Sequence, residues 1–293
     1  MAVPATLSGR TCLVTGATSG IGLETALGLA RRGARVLCVG RSEAKGENAV
    51  ADIVRRSGND AVELLLADLS SQAQIRALAA EVESRAPALH LLVNNAGLVN
   101  LRREITSDGL EATFAVNHLA YFLLTRLLLE RLVASAPARI VNVASDAQRF
   151  GSLDFDDLQS ERRYQGFAMA AAMRVYGTSK LANILFTTEL ARRLEGSGVT
   201  ANCVHPGAVA TGLGTNNGRF GQSLMRVVGL FMRTPEQGAA TSLYAATSPE
   251  LEGVSGRYYA NEREAEPVAA ARDTDDARRL WAESSCLVGL PED

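Results

Sequence analysis

The stretch Thr11-Cys12-Leu13-Val14-Thr15-Gly16-Ala17-Thr18-Ser19-Gly20-Ile21-Gly22 governs how the rest of the chain is read. Its first residues predict a buried strand, and the run that opens at Gly20 predicts a helix. A glycine-rich turn joins them. Gly16 allows the tight reversal, Gly20 lets backbone approach a pyrophosphate, and Gly22 lets the helix pack closely on the strand. The helix N-terminus then turns its unpaired N–H groups toward the anion. The spacing is G-x-x-x-G-x-G, not the G-x-G-x-x-G of the usual dinucleotide fingerprint.

Outward from this unit, short apolar runs alternate with longer helical patterns. Strand-like segments fall at 11–14, 35–39, 62–66, 89–93, 139–144, 199–204 and 256–259. Helical patterns lie near 21–32, 43–57, 71–85, 107–134, 174–195 and 235–247. The alternation predicts an α/β fold: a doubly wound, mainly parallel, seven-stranded sheet of Rossmann type with helices on both faces. No Pro- or Ser-rich linker interrupts it, so residues 1–293 read as one domain. Two long stretches depart from the pattern, 146–174 and 212–233, each after a strand. Insertions there form binding loops or lids.

Composition narrows the function classes. With 47% hydrophobic and 21% charged residues, the 293-residue chain reads as a soluble globular protein. A formal net charge of -2 gives no reason to expect nucleic acid or an anionic membrane as partner. The longest apolar run, Leu119 to Leu132, is broken by Arg126, Glu130 and Arg131, which argues against a spanning helix. Met1 to Leu7 lacks the features of a signal peptide. Cys12, Cys38 and Cys203 lie in strand-like runs, and with Cys286 they read as reduced thiols of a cytoplasmic protein. His90, His118 and His205 are too scattered to hold a metal, and Asp154, Asp156 and Asp157 read as a solvated loop.

Tyr176 and Lys180 stand at i, i+4 and share one face of a helix. An ammonium beside a phenol favours the phenolate and lowers its pKa from about 10. Such a tyrosine can exchange a proton with a carbonyl oxygen. Gly40-Arg41-Ser42 ends the second strand, where NAD-binding folds tend to carry a carboxylate for the ribose 2′-hydroxyl. An arginine suits a 2′-phosphate, so NADP(H) is expected over NAD(H). Asp68-Leu69 follows the third strand, and the carboxylate could meet an adenine amine or cap the next helix. Asn95-Ala96-Gly97 could pass close to a ribose or form a turn. Asn117 lies inside an apolar helix, where an unpaired amide is costly.

Taken in order, Thr15 to Gly22, Asn94 to Gly97, Asn117, Ser145, Tyr176 to Lys180, and Pro206-Gly207 with Thr211 resemble the short-chain dehydrogenase/reductase family. The run 141–145 and His205-Pro206-Gly207 look most like its retinol-dehydrogenase-like branch, although that branch often carries Asn-Thr where this chain has Thr18-Ser19. The resemblance makes Tyr176 the general acid/base. It makes Lys180 the residue that lowers the Tyr176 pKa and bonds the nicotinamide ribose. Ser145 would stabilise the substrate oxygen, and Asn117 would hold a water linking Lys180 to solvent. Gly16, Thr18, Ser19, Gly20, Ile21 and Gly22 would hold the cofactor phosphates, and Pro206, Gly207, Val209 and Thr211 the nicotinamide carboxamide. It implies an NADP(H)-dependent carbonyl reductase or alcohol dehydrogenase.

Loop composition points to a lipophilic or aromatic substrate, with Phe150, Phe155, Phe167, Met169, Met173, Leu224, Met225 and Phe231 as a candidate apolar wall. A cofactor-sensing protein without turnover, or an epimerase or dehydratase on the same fold, are the competing readings. The apolar faces of the helices near 107–134 and 174–195 are compatible with a homo-oligomer, or with a monomer that covers them itself.

Overall fold

Strand β1 (Thr11–Thr15) is buried along its whole length and sits inside a single eight-stranded sheet. The computed structural model describes residues 6–209 and 233–292. β1 pairs in parallel with β2 (Arg35–Gly40) on one side and β4 (Leu91–Asn94) on the other. The remaining strands are β3 (Val62–Leu66), β5 (Ala138–Val143), β6 (Val199–His205), β7 (Tyr258–Ala260) and β8 (Arg263–Glu264), in the order β3-β2-β1-β4-β5-β6-β7-β8. The chain crosses from β3 over β2 and β1 to lay down β4. The winding therefore reverses between β1 and β4, and a crevice opens at their carboxyl ends, where such sheets bind ligands.

The expected seven parallel strands are all present. The eighth, β8, pairs antiparallel with β7 through Asn261 and Glu262, which have φ of 54° and 58°. Two left-handed central residues make the tight turn that matches strand twist. Its usual Asn-Gly signature is absent, which hid the hairpin from sequence reading.

Side-chain alternation builds two cores. Leu13, Leu37, Leu92 and Ile140 face one layer, while Cys12, Val14, Val36, Cys38, Val93 and Val141 face the other. The first layer holds α3 (Gln72–Arg85), α4 (Ala112–Ala134), α5 (Ala168–Arg193) and α7 (Thr274–Val288). The second holds α1 (Gly20–Ala30), α2 (Glu43–Ser57) and α6 (Pro235–Thr247).

Four expectations about elements need correction. α4 starts at Ala112 rather than near 107, because Gly109 (φ 77°) turns the chain and Glu111 caps the helix through Thr113 N and Phe114 N. α5 starts at Ala168, so the last part of the expected 146–174 loop is helix; its Ala- and Met-rich sequence favours that. α7 went unread in the charged tail, although Asp273 caps it and Gly289 (φ 64°) ends it. Finally, α4 as a continuous helix spans 23 residues with hydropathy 1.3, long and apolar enough to cross a membrane. Most of its apolar window is buried inside the protein, so it serves here as a core helix.

α7 covers the faces whose apolar excess suggested an oligomer. Trp281 packs edge-on to Phe122 of α4 at 4.9 Å and stacks on Phe186 of α5 at 5.9 Å. Arg193 lies 4.3 Å over the Trp281 ring. Cover comes from within the chain, and these faces supply no argument for a second subunit.

Candidate active site

The glycine turn forms as the spacing implied. Gly16 and Gly20 have φ of 66° and 57°, and a Cβ at Gly22 would lie 2.3 Å from the Gly16 carbonyl oxygen. No side-chain hydrogen bond from Ser19 caps α1, so the first-turn N–H groups stay available to an anion. A cleft of about 530 Å³ opens above the β1/β4 crevice. Its walls include Gly16, Thr18, Ser19, Gly20, Ile21 and Gly22 from the turn, and Arg41, Asp68 and Leu69 beyond β2 and β3. They also include Asn95, Ala96, Gly97, Ser145, Tyr176, Lys180, Pro206, Gly207 and Val209. Thr211 lies outside the described residues.

Thr15 ties the floor together. Its hydroxyl donates to Val93 O and accepts from Asn95 N at 2.9 Å and Ala96 N at 3.1 Å. The Asn95 side chain donates to Thr15 O, and Tyr121 donates to Ala96 O at 2.8 Å. Asp68 does not cap α3; Ser71 does. Instead Asp68 Oδ1 accepts from the Ser70 N–H and hydroxyl. At the far end, exposed Arg41 is joined by Lys45, which sequence reading missed although it stands one helical turn away. No carboxylate among the described residues pairs with either through a salt bridge.

Around the reacting end, Ser145 lies just beyond β5 and begins a 3-10 turn, Asp146–Phe150. Its hydroxyl accepts from Ala147 N at 3.2 Å and hydrogen-bonds the Tyr176 phenol. His205, unassigned in the sequence, accepts the Asp146 N–H at Nδ1, 3.1 Å away, and so pins the start of that turn. The turn lies directly against α5. A Cβ on Gly177 would sit 2.4 Å from Ala147 O, and one on Gly151 2.4 Å from the Gly177 carbonyl carbon. Two glycines thus let Ser145 and Tyr176 share the cleft.

Lys180 is buried and donates to Val143 O at 2.8 Å. Its Nζ lies 5.6 Å from the centroid of the Tyr176 ring and 5.4 Å from that of Tyr121. The expected lowering of the Tyr176 pKa is not found. Burial pushes the phenol up to about 12, with the Ser145 hydroxyl opposing it. Burial also brings the Lys180 ammonium down to about 8. Desolvation penalises both charged forms and is the largest cause of each shift.

Asn117 does not line the cleft but stands just behind it, in a π-turn, Ala115–Leu119. Its Oδ1 accepts from Leu98 N, and its Nδ2 donates to Leu98 O and Ser179 Oγ. Both amide protons are spent. A water held by Asn117 would have to rest on the remaining Oδ1 lone pair or on the backbone carbonyl.

The expected apolar wall is not assembled by the described residues. Phe150 (63% exposed), Phe167 (81%) and Met169 (40%) face outward, and Met173 is half-buried. Phe155 packs on the core beneath Arg279, 4.2 Å from its ring. Leu224, Met225 and Phe231 lie outside the described residues. Asp157 is no solvated loop residue: it is buried, and its carboxylate accepts from Glu161 N and Arg162 N.

Comparison with known proteins agrees with this geometry. The short chain dehydrogenase family profile matches residues 10–155 and 164–220. Human retinol dehydrogenase 11 is 46% identical over 98% of this chain and 88% of its own length. Human retinol dehydrogenase 13 is 44% identical over 98% and 86%. Among solved structures, an uncharacterized protein from Mycobacterium Paratuberculosis superposes with a TM-score of 0.79 at 31% identity, covering 99% of this chain and 97% of that one. The Pseudomonas aeruginosa RhlG/NADP complex gives 0.68 at 27% identity, covering 89% and 97%. The chain belongs to the short-chain dehydrogenase/reductase family of NAD(P)(H) oxidoreductases, in its retinol-dehydrogenase-like branch.

Proposed function

We propose that this protein is an NADP(H)-dependent oxidoreductase interconverting a lipophilic or aromatic ketone or aldehyde with its alcohol, with Tyr176 as general acid/base. One observation carries the reading: Ser145, Tyr176 and Lys180 converge at one end of a cleft whose other end is the phosphate turn flanked by Arg41 and Lys45. The cradle fits a dinucleotide, since Gly22 lets α1 begin hard against the Gly16 carbonyl and the Asn95 amide while the first-turn N–H groups stay uncapped for a pyrophosphate. Two cations, with no carboxylate among the described residues paired to either by a salt bridge, suit a 2′-phosphate. The retinol dehydrogenase relatives make a retinoid-type alcohol or aldehyde the first substrate class to try.

When bound, the nicotinamide cofactor supplies or accepts the hydride. The chain has to orient the carbonyl and manage one proton. The Ser145 hydroxyl, beside Tyr176, hydrogen-bonds the substrate oxygen and steadies the charge that grows there. Tyr176, with its phenol at about 12, is fully protonated at neutral pH and delivers its proton to the same oxygen. Lys180, held by Val143 O, stands beside the ring to stabilise the phenolate that remains. Asn117 fixes the Leu98 backbone and Ser179, next in space to Lys180.

The test is a carbonyl panel run with NADPH and NADH, on wild type and on Arg41→Asp. The expected result is turnover of lipophilic or aromatic carbonyls with NADPH preferred, and a preference reversed toward NADH in the variant. Turnover confined to small, charged carbonyls would refute the substrate class. An unchanged NADPH preference in Arg41→Asp would refute the cofactor assignment.

A further inference from the structure

Behind Lys180 the core holds a run of polar side chains that the reaction described above does not use. His118 is fully buried in α4, directly after Asn117, among the rings of Phe114, Phe122 and Phe186. Its Nε2 lies 2.9 Å from the hydroxyl of Ser284, itself fully buried in α7. On the other side stands Asn183, fully buried in α5, whose Nδ2 donates to Val143 O at 3.3 Å. That carbonyl also accepts the Lys180 ammonium.

Hydrogen-bond bookkeeping fixes the direction of the run. The Val143 carbonyl can only accept, so the Asn183 amide nitrogen faces it and Asn183 Oδ1 faces away. Asn183 Oδ1 and His118 Nδ1 are both buried and lack a partner within strict hydrogen-bond geometry. A hydrogen bond to Asn183 nevertheless acts on the imidazole, raising a pKa that burial brings down to about 3. The amide therefore lies close enough to act on the imidazole, and a bond from His118 Nδ1–H to Asn183 Oδ1 would satisfy both unpartnered atoms. The neutral imidazole then carries its proton on Nδ1, and Nε2 accepts from Ser284. Apolar residues of the same shape would fill this space without the desolvation cost of three polar side chains.

We propose that Asn183, His118 and Ser284 are positioning residues for Lys180. They form a buried chain, Ser284 to His118 to Asn183 to the Val143 carbonyl, that fixes the acceptor of the ammonium and ties the C-terminal helix to the active site. The inference rests on the catalytic role of Lys180 given above. It assigns α7 a part in turnover as well as in covering the core.

The test separates positioning from packing by the sign of its two readouts. Asn183→Leu is close in volume and removes only the polar links, so its Tm is expected to stay near or above wild type. Its kcat is expected to fall about tenfold, because the ammonium loses its fixed place. Ser284→Ala is expected to lower kcat about threefold, and Ser284→Thr, which restores the hydroxyl but crowds the core, to recover most of it. A packing role predicts the opposite order, with Ala tolerated and Thr worse. Wild-type kcat in both Asn183→Leu and Ser284→Ala would overturn the proposal. Lys180→Ala serves as reference: if it kept full activity, the role of Lys180 itself would fail, a result distinct from failure of the chain behind it.

Discussion

At the scale of single residues, the decisive quantity is the proton affinity of Tyr176. The Tyr-x-x-x-Lys spacing was readable from sequence, and so was the meeting of the pair with Ser145. The sign of the pKa change was not, because it depends on how much water the folded cleft leaves around each group. Burial raises the phenol to about 12. As an acid in carbonyl reduction, Tyr176 is in its working form throughout the neutral range. As a base in alcohol oxidation it must first lose its proton, and below the pKa the phenolate fraction rises tenfold per pH unit. Oxidation is therefore expected to accelerate from pH 7 to 8, and reduction to stay nearly level until Lys180, at about 8, loses its charge and then to decline toward pH 9. Initial rates in both directions across that range check this. An oxidation rate independent of pH would contradict it.

Asn117 and His205 make the same point. An amide inside an apolar helix signals a role, but the sequence does not say that Leu98 and Ser179 use up its protons. A lone histidine reads as bland until the fold sets its Nδ1 against the Asp146 N–H.

Among elements, those with strong local signals were legible. β3, α2 and α6 run as their patterns predict, and α6 carries a capping box, Thr234 with Gln237, and Pro235 in its first turn. The start of α5, in an Ala- and Met-rich run, and α7, bounded by Asp273 and Gly289, also carry local signals, but these lay inside stretches read as loop and charged tail. Features whose signal is tertiary were not legible. Contact between the 3-10 turn after β5 and α5 was also invisible, since it depends on two glycines 26 positions apart, Gly151 and Gly177. That contact sets the distance between Ser145 and Tyr176. Gly177→Ala is expected to force the turn away and to cost about 1–3 kcal/mol of stability. The loss in kcat should exceed any loss in NADPH affinity, because the phosphate turn lies elsewhere. Calorimetry, steady-state kinetics and cofactor titration check it, and unchanged kcat would contradict it.

For the whole molecule, the doubly wound sheet followed from the alternation of strands and helices, and the cleft from the reversal of winding between β1 and β4. What the sequence left open was how the apolar faces of α4 and α5 are covered. α7 answers this with the chain's only tryptophan, Trp281, set against Phe122 and Phe186. Trp281→Ala is expected to destabilise the protein by about 3–5 kcal/mol. Its unfolding should remain a single transition if α7 is part of one core. A low-temperature transition confined to the C-terminal segment, seen by hydrogen exchange, would show α7 to be an appendage.

The most direct measurement is NADPH oxidation coupled to reduction of a lipophilic aldehyde by wild type and Tyr176→Phe, with NADPH binding measured on both. The account predicts equal NADPH affinity and a kcat lowered by roughly 10²- to 10⁴-fold in the variant. Equal turnover by the two proteins, or no turnover by a wild type that binds NADPH well, would contradict it.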